Sequence, residues 1–122
     1  TESTATVAVN YFGAIATLDG LRPLLAGSDA PRAVATASMA SLFPVDDALV
    51  DACLAHDEPA ALHRAQQLLD EGQGGLIYGS TKRALVRWIR RNAATAEWAG
   101  AGIPLNAVAP GVIRTAMTAQ YT

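Results

Sequence analysis

Tyr78 and Lys82 stand four residues apart in the run Tyr78-Gly79-Ser80-Thr81-Lys82. At the start of a helix, that spacing stacks a phenol and an ammonium on one face, a single turn apart, where they can touch. A free phenol releases its proton only near pH 10, so its use as acid and base near neutrality needs a shift of roughly 3 units, about 4 kcal/mol of differential stabilisation. A neighbouring cation in a partly desolvated cleft supplies energy of that order. The same four-residue pattern also fits a half-buried tyrosine beside a surface lysine, so its meaning depends on what else reaches the place. Ser38 directly follows the apolar run 33–37, and Asn10 lies in Asn10-Tyr11-Phe12-Gly13. Downstream comes Asn106-Ala107-Val108-Ala109-Pro110-Gly111-Val112-Ile113-Arg114-Thr115. Taken singly, Ser38 also fits a strand cap and Asn10 a polar residue satisfied by its own helix.

These residues need elements to hold them. Between residues 4 and 25, Val7, Tyr11, Ile15, Leu18, Leu21 and Leu25 recur at threes and fours, one face of a long helix that Gly27 is expected to end. The run 33–37 is too short for a helix and lacks polar alternation, as expected of a parallel strand buried on both faces, and it delivers Ser38 at its carboxyl end. Two helical stretches follow between Pro44 and Gly75. One carries Leu49, Val50, Cys53 and Leu54, favoured at its start by Asp46 and Asp47; the other opens at Pro59, carries Leu62, Ala65, Leu68 and Leu69, and stops at Gly72. A helix from about 77 to 99 holds Ala84, Leu85, Trp88 and Ile89 inside and ends at 100–102. A second buried strand is expected over 105–109, broken by Pro110 and Gly111, with a loop or the start of a lid beyond it. The order helix, strand, helices, helix, strand describes an α/β domain with crossover connections.

A helix carrying Asn, a strand ending in Ser, Tyr-x-x-x-Lys opening a helix, and a strand ending in Asn-x-x-x-Pro-Gly-x-x-x-Thr resemble, in this order, the short-chain dehydrogenases/reductases. The resemblance covers nearly the whole chain. It implies part of a Rossmann-like, doubly wound parallel sheet, and an oxidoreductase moving a hydride between NAD or NADP, with NAD favoured, and a secondary alcohol or ketone. It implies Tyr78 as the general acid/base, Lys82 as the cation that eases its ionisation and binds the nicotinamide ribose, and Ser38 as hydrogen-bond donor to the substrate oxygen. Asn10 would hold, through its helix backbone, a water in the proton relay behind Lys82. Pro110, Gly111, Val112, Ile113 and Thr115, with Tyr78 and Lys82, would form the cofactor-binding set.

Most members of the family place the serine much nearer the tyrosine, so the helices at about 44–75 are an insertion. That placement, with Gln73-Gly74-Gly75 and Pro104-Leu105-Asn106, resembles a bacterial 3-alpha-hydroxysteroid dehydrogenase/carbonyl reductase subgroup and implies a hydroxysteroid or another apolar carbonyl compound as substrate. A homo-oligomer, dimer or tetramer, is also implied. The family's glycine-rich phosphate loop does not occur in this sequence, since 72–75 and 100–102 lack its spacing and its preceding strand. The expectation is an internal or C-terminal portion, residues 1–122, of one domain of roughly 250 residues, with sheet edges left open. The rival expectation is a non-catalytic fragment or pseudoenzyme acting as an oligomerisation module.

Composition limits the remaining classes. With 122 residues, 51% hydrophobic, the chain suffices for one small core, and a net charge of -2 offers no general attraction for nucleic acid. No apolar run approaches the roughly 18 residues that span a bilayer, and Thr1 opens no signal segment, so a cytoplasmic protein without a membrane partner is expected. The lone Cys53 is expected to be a small buried hydrophobe, in keeping with a reducing compartment. His56 and His63 are seven apart without a third ligand, which predicts surface histidines and no metal site. Lys82, Arg83, Arg87, Arg90 and Arg91 are expected to form a solvated or ion-paired helix face.

Overall fold

The computed structural model describes residues 2–121. Its first element is a single helical rod made of α1 (Glu2–Val7), a π-helical turn (Ala8–Gly13) and α2 (Ala14–Ala26). The predicted stripe is buried at Val7, Tyr11 and Ile15, and Leu18 and Leu25 are partly covered. Leu21, expected inside, is exposed. The cause lies in the packing: α4 (Glu58–Asp70) and α5 (Ile77–Asn92) lean against the rod along α1 and the π turn, so the periodic face outruns its cover.

β1 (Ala33–Thr36) and β2 (Leu105–Val108) pair in parallel, with Ala33 opposite Leu105 and Thr36 opposite Val108. The ladder continues past both strands through the Ala37 N–H to the Val108 carbonyl at 2.7 Å and the Met39 N–H to the Pro110 carbonyl at 3.0 Å. Both strands were expected to be buried on two faces, and the structure corrects this. Ala33 and Ala35 are buried while Val34 is exposed, and only Leu105 of β2 is buried. Helices lie over one face of this two-stranded sheet, so the apolar residues turned the other way lack cover among the described residues.

The connection between the strands holds α3 (Asp47–Leu54), α4 and α5. The Asp46 carboxylate caps α3 by accepting the Leu49 N–H at 2.9 Å, and Asp57 caps α4 by accepting from Ala60 at 3.1 Å. Pro59 sits in the first turn of α4, and Gly72 follows its end with φ +76°, a left-handed turn that glycine adopts without strain. Leu49, Val50, Cys53 and Leu68 are sealed in the core; Leu69 is partly exposed.

The helix expected to run to about residue 99 stops at Asn92. The Asn92 amide turns back to the Trp88 carbonyl at 2.8 Å, and the Thr95 hydroxyl takes the Asn92 carbonyl at 2.7 Å, so side chains satisfy groups that further turns would use. The chain then folds back and buries Trp98 edge-on against Trp88, ring centroids 6.2 Å apart. That apolar anchor is incompatible with a straight continuation of the helix.

Candidate active site

Tyr78 is the second residue of α5 and its side chain is about half exposed. One turn on, the Lys82 Nζ lies 5.7 Å from the centre of the Tyr78 ring and donates to the carbonyl of Thr36, the last residue of β1, at 3.0 Å. The helix face predicted from the four-residue spacing therefore exists, and the ammonium bridges it to the end of the strand. Between the two, the Thr81 hydroxyl donates to the Tyr78 carbonyl at 2.7 Å and accepts from the Asn10 amide at 3.4 Å. Asn10 belongs to the π turn, so the irregular stretch of the rod is tied to the residue next to Lys82. Single π turns inside α-helices recur at functional sites.

Ser38 has an extended backbone after β1 and opens a 3-10 turn, Met39–Leu42. Its Oγ accepts the Ala40 N–H at 3.1 Å, which orients the hydroxyl and leaves its hydrogen for another acceptor. Ser38 and Tyr78 line one cavity of about 580 Å³, together with Pro110, Gly111, Val112, Ile113 and Thr115. Lys82 and Asn10 line a neighbouring cavity of about 580 Å³ under the exposed face of β1, with Val34 and Thr36. The predicted residues thus fall into two sets, one around each cavity, linked by the Lys82 ammonium 5.7 Å from the centre of the Tyr78 ring. Both volumes lie in the range of small-molecule sites.

The walls of the Ser38–Tyr78 cavity are apolar: Met39, Phe43, Val112, Ile113 and Met117 all line it and are partly or largely exposed. The segment after Pro110 is tied mainly to itself, through the Thr115 N–H to Thr118 Oγ1 at 2.9 Å and the Thr118 hydroxyl to the Ile113 carbonyl. At its root Gly111 presses against Met39, for a Cβ there would come within 2.9 Å of the sulfur. Gly79 shows a tighter constraint, since a Cβ would meet the Ala40 carbonyl oxygen at 2.8 Å.

Sequence reasoning missed several supports. Thr81 and Ser80 are fully buried, and the Ser80 hydroxyl donates to the Leu76 carbonyl at 2.6 Å while accepting the Asp46 N–H at 2.9 Å. Arg64 chelates Asp46 through Nε at 2.9 Å and a terminal nitrogen at 2.8 Å, and this holds the carboxyl below the usual carboxylate range. The only signal was that every residue between Tyr78 and Lys82 is small. Arg83 departs from the solvated or ion-paired reading: it binds the main-chain carbonyls of Ser41 and Phe43.

Groups outside the two cavities are chemically quiet. Cys53 is fully buried and burial pushes its thiol up to about 12; burial also raises the Tyr11 phenol well above its ordinary value. Among the described residues no group of three or more His, Cys, Asp or Glu side chains could hold a metal ion, and no helix is long and apolar enough to cross a membrane.

No protein-family model matches the chain. It is 37% identical over 111 residues to the 3-alpha-hydroxysteroid dehydrogenase/carbonyl reductase of Comamonas testosteroni, covering 89% of this chain and 42% of that protein. Its fold matches the crystal structure of the 3-alpha-hydroxysteroid dehydrogenase from Pseudomonas sp. B-0831 complexed with NADH, with a TM-score of 0.85 and 41% identity. That match covers 96% of this chain and 45% of the other. The chain therefore spans less than half the length of the relatives it matches, and its two-stranded sheet with the flanking helices has the fold of part of their Rossmann-like domain.

Proposed function

We propose, from this likeness to short-chain dehydrogenases/reductases in both sequence and fold, that the chain is the catalytic part of a nicotinamide-dependent oxidoreductase acting on apolar secondary alcohols and ketones, hydroxysteroids among them. The observation that carries the reading is the meeting of Ser38 and Tyr78 in one apolar-walled cavity with Lys82 a single turn behind the phenol. In this reading residues 1–122 are an internal or C-terminal portion of one domain, and the α3–α4 segment is an insertion between the serine and the tyrosine. A cytoplasmic homo-oligomer belongs to the same reading.

The residues present fit one end of a nicotinamide nucleotide. Gly111 brings bare backbone to the cavity rim, Val112, Ile113 and Thr115 continue it, and Tyr78 lines the same cavity with Lys82 one helical turn away. NAD is favoured over NADP, as the solved relative carries NADH. When bound, the nicotinamide supplies or accepts the hydride. In reduction, the Tyr78 hydroxyl gives its proton to the carbonyl oxygen, and Ser38 donates a hydrogen bond to the same atom as charge builds there. Lys82 steadies the phenolate left behind. Asn10, held to Thr81, keeps the π turn against the lysine and supports the path by which the proton is restored.

Tyr78→Phe in the full-length polypeptide tests the reading. Turnover of an apolar ketone should fall by about a thousandfold, within the span of lost acid/base catalysis and more. NADH binding, followed by fluorescence, should survive. Turnover near that of the unaltered protein would remove Tyr78 from the chemistry, and an unaltered protein that binds no nicotinamide nucleotide would favour a non-catalytic module.

A further inference from the structure

Resting on that reading, a second question concerns what keeps Ser38 at its distance from Tyr78. Ser38 stands at the head of a 3-10 turn of only four residues, whose own bonds are few: Ser41 N–H to the Ser38 carbonyl and Phe43 N–H to the Ala40 carbonyl, at 3.0 and 3.1 Å. Such a turn has little rigidity of its own. Three contacts from α5 hold it. The Arg83 Nε donates to the Ser41 carbonyl at 2.8 Å and a terminal nitrogen donates to the Phe43 carbonyl at 3.0 Å. One turn earlier on the helix, Gly79 lets the Ala40 carbonyl approach to a distance that any side chain would forbid. Further along, the Asp46 N–H is held by Ser80.

A guanidinium is a planar fork with fixed donor directions, so two carbonyls bound at once define both the position and the tilt of the turn. Arg87, Arg90 and Arg91 lie on the same helix, and among the described residues none makes such bonds. Arg83 has no carboxylate partner there either, so its charge is committed to main chain. We infer that Arg83 is a positioning residue for the Ser38–Tyr78 pair, clamping the serine turn onto the helix that carries the tyrosine across a contact that Gly79 makes possible. It touches neither substrate nor cofactor and acts through Ser38.

Two measurements on the full-length polypeptide decide this. In Arg83→Met, amide hydrogen exchange over residues 39–43 should quicken by about tenfold, because two charge-assisted bonds to that turn are gone. Unchanged exchange overturns the clamp whether or not the protein is active. The kinetic readout is a double-mutant cycle with Ser38→Ala. Arg83→Met should lower kcat for an apolar ketone by about tenfold alone, since small misplacements of reacting groups are costly, but by less than about twofold when Ser38 is already Ala. The KM for NADH should stay unchanged in both. Equal losses in the two backgrounds would show that Arg83 does not act through the serine. Arg83→Lys keeps the charge and loses the fork; it serves in the same two measurements if Arg83→Met does not fold. If the unaltered protein turns over no ketone, the proposed activity falls, and the exchange result still decides whether Arg83 holds the turn.

Discussion

On the side built by α1, the π turn, α3, α4 and α5, the side chains of Val7, Tyr11, Leu49, Val50, Cys53 and Leu68 are shut off from solvent. Along β2 and the segment after it, Val108, Val112, Ile113 and Met117 stand open. The first region completes a core by itself, each helix face meeting another. The second presents apolar residues without cover among the described residues, and the candidate site lies where the two regions join. Tyr78, Lys82 and the supports Ser80 and Thr81 come from the packed side; residues 110–115 come from the open one, and Ser38 from the segment after β1. In the proposed mechanism a packed helix therefore supplies the acid/base, while the apolar surface offered to a ligand is left uncovered among the described residues.

Substitutions should separate the regions, and Leu68→Ala is expected to do most. Removing a fully buried leucine should cost about 3 kcal/mol of stability, read as a lower thermal midpoint, while kcat measured well below that midpoint stays the same. A loss of stability within the range of surface changes would mean that α4 is not part of the core. Asp46→Asn should have a smaller effect that depends on pH. The native carboxyl is held below its ordinary value by Arg64, so the stabilisation is present above the unfolded value near 3.8 and is lost as pH falls through the native one. Thermal midpoints should fall by several degrees more in the unaltered protein than in the Asn variant as pH drops from about 6 to about 3. Parallel curves would deny the Asp46–Arg64 pair its role in holding α3. Smallest of all, Val112→Ser or Ile113→Ser should change stability by no more than about 0.5 kcal/mol, because both side chains are exposed. The KM for an apolar ketone should nevertheless rise; an unchanged KM would take these residues out of the cavity's ligand contacts.

The periodicity of Val7, Tyr11 and Ile15, the acidic start at Asp46 and Asp47, the opening at Pro59 and the stop at Gly72 made most of the helices legible. Local rules suffice there because capping and face periodicity involve neighbours in sequence. The errors lie elsewhere. Leu21 continues a face that has lost its partner, the helix after Asn92 is ended by Trp98 folding back onto Trp88, and the apolar strands are covered on one side only. Each depends on what lies across space, which an apolar run cannot report.

The spacing of Tyr78 and Lys82 follows from the residues alone, because 3.6 residues per turn brings positions four apart together in any helix. So does the delivery of Ser38 at a strand end. The seating of the Ser38 turn against that helix was decided only in three dimensions. It needs the absent Cβ of Gly79, the fork of Arg83 and the Ser80 bond to Asp46, which join residues 34 to 42 positions apart in the chain. Hydrogen-bond partners at such separations leave no periodic trace in a sequence, since only the folded path of the backbone determines which carbonyls a given side chain can reach.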